Sequence, residues 1–155
     1  MIKILIDGDS CRVLRKVEHI AKSKNIACHI YCDTNRIIDS DYSQLHIVDK
    51  GRDMADFAIA NNCCPNDIVI TNDSGLASLV LSRQGFALSS YGVEYTKENI
   101  LSFLTTRHIR SYEQARTKRH QVKGNLTHKD ESHPFGKQLS SLINKAQYKS
   151  YKKED

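Results

Sequence analysis

The sequence predicts an α/β domain in three layers, α/β/α, around a central, mainly parallel sheet. Three observations predict it: apolar runs of strand length, stretches of helical spacing between them, and a 155-residue chain with no run of membrane-spanning length. Parallel strands need crossover connections, and the crossover helices cover both faces of the sheet. In such sheets ligands bind beyond the carboxyl ends of the strands, where the strand order reverses.

The strand-length runs are Ile2–Ile6, Ala27–Cys32, Leu45–Val48, Asp67–Thr71 and Phe86–Ser89. After the first, Val13, Leu14, Val17, Ile20 and Ala21 fall on one side of a helix. Met54, Ala55, Ala58 and Ile59 do the same across residues 53–62. Leu76, Leu79 and Val80 mark a third helix, with Asp73 or Ser74 placed to cap it, and Asp53 stands in the same position before the second. Thr96 can cap a fourth helix carrying Ile100, Leu101 and Leu104. Asp67 reads as a turn residue ahead of its strand. From about Arg107 the pattern weakens. A short amphipathic helix through Phe135, Leu139, Leu142 and Ile143 is expected to dock back, with Tyr148 to Asp155 frayed. The chain therefore divides into an α/β domain over residues 1–106 and a basic C-terminal extension with a short docking helix over 107–155.

Charge follows the same division. Residues 1–106 hold 11 Lys and Arg against 13 Asp and Glu, whereas residues 107–155 hold 12 against 5. A basic end on an acidic-leaning domain points to a nucleic-acid partner. Hydrophobic residues make up 39% of the chain, a low share that fits an extension lying outside the core. The Met1 end carries no basic n-region or cleavage site, so a cytoplasmic protein that does not engage membranes is expected. Five cysteines, an odd number, then read as free thiols rather than a disulfide framework. Cys28-x-x-x-Cys32 lies in a strand-like stretch and Cys63-Cys64 stands alone, a pattern of packed thiols and not of structural zinc. Three common chemistries are missing: the P-loop, the Gly-x-Gly-x-x-Gly turn and the Gly-x-Ser-x-Gly elbow.

The chemistry the sequence does carry is acidic. Lys3-Ile4-Leu5-Ile6-Asp7-Gly8-Asp9 ends an apolar strand in two aspartates. Side chains at i and i+2 of extended chain share a face, so Asp7 and Asp9 are expected side by side. Paired carboxylates raise one another's pKa unless a cation sits between them. Asp53 and Asp56, spaced i, i+3 after Gly51, share a helix face, and Asp73 leaves the fourth strand. If strands one and four are neighbours, these clusters meet. Hard cations such as Mg²⁺ or Mn²⁺ take oxygen ligands of this kind and need only one or two direct carboxylates. Asp7, Asp9, Asp53, Asp56 and Asp73 are thus the candidate site residues for such an ion.

With these residues in hand the chain resembles the YaiI/YqxD family of uncharacterised bacterial proteins. Asp7-Gly8-Asp9-Ser10-Cys11-Arg12 is similar to the family's opening Asp-Ala-Asp-Ala-Cys-Pro, with Arg12 in place of proline. Gly51-Arg52-Asp53-Met54-Ala55-Asp56 matches its Gly-x-Asp-x-x-Asp block. Asp67 through Ala77 matches the third block, with Ser74-Gly75 where Ile-Pro is usual. The likeness is close over the first 105 residues and weak beyond, where only Gly124, Phe135 and Leu139 echo the family's tail. The family in turn resembles PIN-like and NYN nuclease domains, which gather acidic residues around a divalent cation to cut RNA. That likeness implies a PIN-like fold, metal held by Asp7, Asp56 and Asp73 with Asp9 and Asp53 close by, and a rim of Ser10, Arg12, Arg52, Asn72 and Ser74 toward substrate. Two other functions fit the acidic pair. One is a phosphatase of the haloacid dehalogenase kind with Asp7 as nucleophile. The other is a non-catalytic module that binds a cation or nucleic acid.

Overall fold

A computed structural model describes residues 1–34, 38–51, 53–106 and 135–154. The five apolar runs become β1 (Lys3–Asp7), β2 (Ala27–Asp33), β3 (Gln44–Val48), β4 (Ile68–Ile70) and β5 (Phe86–Leu88). The helices are α1 (Leu14–Ser23), α2 (Met54–Asn62), α3 (Ser74–Ser82), a helical stretch over residues 100–106 (α4) and α5 (Phe135–Glu154). A sixth strand, β6 (Glu94–Tyr95), was not expected. Two residues are too few to show any periodicity, and β6 pairs antiparallel to β5 through Ala87 with Tyr95 and Leu88 with Glu94. The sheet order is β3-β2-β1-β4-β5-β6, with every other pairing parallel.

Alternation along the central strands builds two cores. Ile4, Ile6, Ile68, Ile70 and Leu88 face one side, where Val17 and Ala21 of α1 and Leu139, Leu142 and Ile143 of α5 cover them. Leu5, Val69 and Ala87 face the other, under Ile59 of α2 and Leu76, Ala77 and Val80 of α3. This is the three-layer α/β/α arrangement. The C-terminal helix is neither short nor frayed at Tyr148: it runs 20 residues to Glu154. Tyr148, Lys149 and Tyr151 are exposed and break the apolar stripe, but no Gly or Pro interrupts the chain there, so the helix continues. The basic residues from Arg107 to Lys129, and Gly124, lie outside the described residues.

Two of the three expected caps are present. The Asp73 carboxylate accepts from the backbone N–H groups of Gly75 (2.8 Å) and Leu76 (3.2 Å). Thr96 and Asn99 form a reciprocal capping box: the Thr96 N–H donates to Asn99 Oδ1 and the Asn99 N–H to Thr96 Oγ1. Asp53 makes no side-chain cap; it sits in the left-handed region at φ 64°. Asp67 is more than a turn residue. It is buried beneath the sheet's amino edge, where its carboxylate accepts from the Lys3 backbone N–H, the Lys3 Nζ and the Cys64 N–H.

Candidate functional site

From β1 the chain steps outward through β2 to β3 and then returns to lay β4 on the other side of β1. The strand order thus reverses between β1 and β4, and the crevice of an open α/β sheet opens at that point. Asp7 is the last residue of β1, and Asp73 follows β4 by three positions. A cavity of about 250 Å³ lies here, lined by Asp7, Asp9, Asp33, Asp53, Asp56 and Asp73 together with Ser10 and Gly51. All five of the predicted catalytic aspartates are in this lining. Asp33, at the carboxyl end of β2, was missed, although its place at the end of an apolar run was the same signal that marked Asp7.

Asp7 and Asp9 do not stand side by side on one strand. The strand stops at Asp7, and Gly8-Asp9-Ser10 is a turn in which the Ser10 and Cys11 N–H groups donate to the Asp7 carbonyl. Asp7 is consequently buried while Asp9 is exposed. Gly8 is required for this turn. A Cβ there would lie 2.8 Å from the Tyr31 carbonyl oxygen, to which the Gly8 N–H itself donates. Because the obstruction is backbone, Gly8→Ala is expected to cost about 1–3 kcal/mol, read as a lowered urea midpoint. An unchanged midpoint would show that β2 yields at no cost.

The polar residues around Asp7 form one network. Its Oδ2 accepts from Ser10 Oγ and from Thr71 Oγ1, each at 3.0 Å. The Thr71 hydroxyl in turn accepts from the Asp73 N–H, so one side chain holds both aspartates in place. Thr71 was not singled out by the sequence reading. Asn72 is tied between strands: its Nδ2 donates to the Ser10 carbonyl (2.9 Å) and to Ser90 Oγ (2.7 Å), and its Oδ1 accepts from the Ser90 N–H. Its amide is engaged with the protein itself. Ser74 opens α3 and is buried away from the cavity lining; Arg12 is exposed and lines a neighbouring cavity; Arg52 lies outside the described residues. A third cavity, about 220 Å³, shares Asp53, Asp56 and Asp73 with the apolar Phe57, Leu76 and Leu79.

Crowded carboxylates show in their acidity. Burial pushes Asp56 up to about 7, helped by the charges of Asp73, Asp7 and Asp53. Asp7 is raised as well, because burial outweighs the hydroxyl groups of Ser10 and Thr71. The donor set is entirely hard oxygen, the type that Mg²⁺ and Mn²⁺ take. Among the described residues no three His, Cys, Asp or Glu side chains are grouped so as to hold a metal ion. Those residues therefore do not form a closed protein cage for a metal.

The fold and the site define a class: an open α/β domain with an aspartate-walled crevice at its switch point. The family model of the uncharacterized YaiI/YqxD family matches residues 5–145, and the chain belongs to that family. It is 39% identical over 142 residues to a UPF0178 protein of Natranaerobius thermophilus, covering 92% of this chain and 96% of that one. A UPF0178 protein of Clostridium novyi is 34% identical over 149 residues, 96% of this chain and 99% of its own. No solved structure matches the chain. Among the described residues, no helix is long and apolar enough to cross a membrane.

Proposed function

We propose that the aspartate crevice binds a hydrated Mg²⁺ or Mn²⁺ ion and hydrolyses phosphodiester bonds, with RNA as substrate. The observation that carries this reading is the gathering of six aspartates around one crevice, an accumulation of negative charge that adds to burial in pushing Asp56 up to about 7. A divalent cation would relieve it. One or two of Asp7, Asp9, Asp56 and Asp73 would hold the ion directly and the others through its water, and the ion when bound supplies Lewis-acid activation of water and neutralises charge on the phosphoryl group. Ser10 and Thr71 fix the orientation of Asp7, and the α3 cap fixes that of Asp73. The basic composition of residues 107–155 favours a nucleic acid, and the resemblance to PIN-like and NYN domains makes RNA the substrate of choice. The phosphatase reading is weaker, because Asp7 is only 5% exposed and its Oδ2 already accepts two hydrogen bonds.

The test is Mn²⁺-dependent cleavage of end-labelled single-stranded RNA. Asn caps helices as well as Asp does, so Asp73→Asn removes charge while keeping the α3 cap. Turnover in that variant is expected to fall at least about 100-fold with the melting temperature little changed. Absence of cleavage in the parent protein, or full turnover in Asp73→Asn, would sink the proposal. A beryllofluoride adduct at Asp7 would point to the phosphatase instead.

A further inference from the structure

A second cavity, about 460 Å³, opens on the other side of the Gly8–Ser10 turn, and Asp9 and Ser10 line both. Its character differs from that of the acidic crevice. Among the described residues Arg12 is its one Lys or Arg and Asp9 its one acid, and Tyr91 stands at its wall. Tyr91 is 39% exposed, yet its backbone is held firmly. The Ser89 N–H donates to the Val93 carbonyl and the Gly92 N–H to that of Ser89, with Gly92 at φ 86°. Ser89 Oγ accepts from the N–H groups of Tyr91 and Val93. Asn72 then bridges Ser90 to Ser10, joining this turn to the one that separates the two cavities. Tyr91 is thus an exposed aromatic on a backbone already ordered at the edge of the acidic crevice, which lowers the ordering cost a stacking ligand would meet.

We infer that this cavity is the subsite for the nucleotide flanking the reacting phosphodiester, with Tyr91 stacking its base and Arg12 pairing with its phosphate. The inference rests on the phosphodiester reading above. Six aspartates repel a polyanion, whereas Arg12 attracts one, and a chain that crosses the Gly8–Ser10 turn meets both. A cavity of this size falls in the range that holds small ligands. Asn72 acts as a positioning residue, setting Tyr91 against Ser10.

The test measures binding and so does not depend on turnover. Fluorescence anisotropy compares a labelled single-stranded oligoribonucleotide with an abasic phosphodiester chain of equal length, both in Mg²⁺. The full-length protein is expected to prefer the base-bearing chain by about 5- to 100-fold. Tyr91→Ala should remove that preference and leave abasic binding unchanged, while Tyr91→Phe keeps it. Arg12→Ala should weaken both chains alike and lower the salt slope by about one. Equal binding of the two chains by the parent protein overturns the inference, as does a preference that disappears in Phe57→Ala and persists in Tyr91→Ala. A Tyr91-dependent preference without cleavage keeps the subsite and removes the hydrolase; cleavage without the preference does the reverse.

Discussion

Asp56→Asn is expected to raise the stability of the cation-free protein at neutral pH and to abolish its stabilisation by Mn²⁺. In the unfolded chain this carboxyl ionises near 3.8, and in the folded protein at about 7. Between those values the folded state holds a proton that the unfolded state has released, so Asp56 makes stability fall as pH rises from about 4 to 7. Above pH 7 both states are ionised and the penalty is constant. Asp7, also raised by burial, acts in the same direction. Glu18 acts in the opposite one: burial raises it, but Ser40, Ser43 and Arg15 outweigh that and lower it. The informative quantity is therefore the difference between variant and parent. Melting temperatures from pH 4 to 8 should diverge with rising pH, the Asn variant being the higher. Saturating Mn²⁺ should raise the parent at pH 8 and leave the variant unmoved. A pH-independent difference would mean that Asp56 ionises as readily in the folded protein as in the unfolded chain, raised neither by burial nor by its neighbours.

How much of this was legible beforehand can be judged residue by residue. β1, β2, β4 and β5 are announced by their own composition, because strands buried on both faces must be apolar throughout. Their alternation placed Asp7 and Asp73 at one sheet edge before any coordinates were known. Within the crevice, sequence spacing was a poorer guide. Asp7 and Asp9 were expected on one face of extended chain, but Gly8 ends the strand and turns Asp9 outward. Asp53 was expected to cap a helix, yet its left-handed backbone leaves that end uncapped by its side chain. Such conformations cost energy and recur at functional sites. Thr71 and Asn72 went unrecognised as organisers, since hydrogen bonds between residues more than sixty positions apart leave no trace in local pattern.

Leu139→Ala is expected to destabilise the protein by about 2–5 kcal/mol, the range for a leucine deleted from a core that cannot collapse. Leu139 is fully buried, in the same cluster as Ile4, Ile6, Ile30 and Ile70. A domain of this kind has only about 5–15 kcal/mol in hand, so pairing the change with Ile143→Ala should leave it largely unfolded at 25 °C. Urea denaturation followed by circular dichroism measures both. A loss under about 1 kcal/mol for the single variant would mean that α5 is loosely attached and that the sheet is stable without it.

The place of α5 also bears on how quickly the molecule can form. One face of the sheet is completed by α5, whose Leu139 lies 135 positions from Ile4, 69 from Ile70 and 51 from Leu88 in the same cluster. Closing loops of such length costs entropy before any contact repays it, which slows folding relative to proteins built from local contacts. Until α5 docks, the isoleucines of β1 and β4 have only α1 to cover them on that side. The protein's most exposed moment to aggregation is therefore set by the arrival of its C-terminal helix.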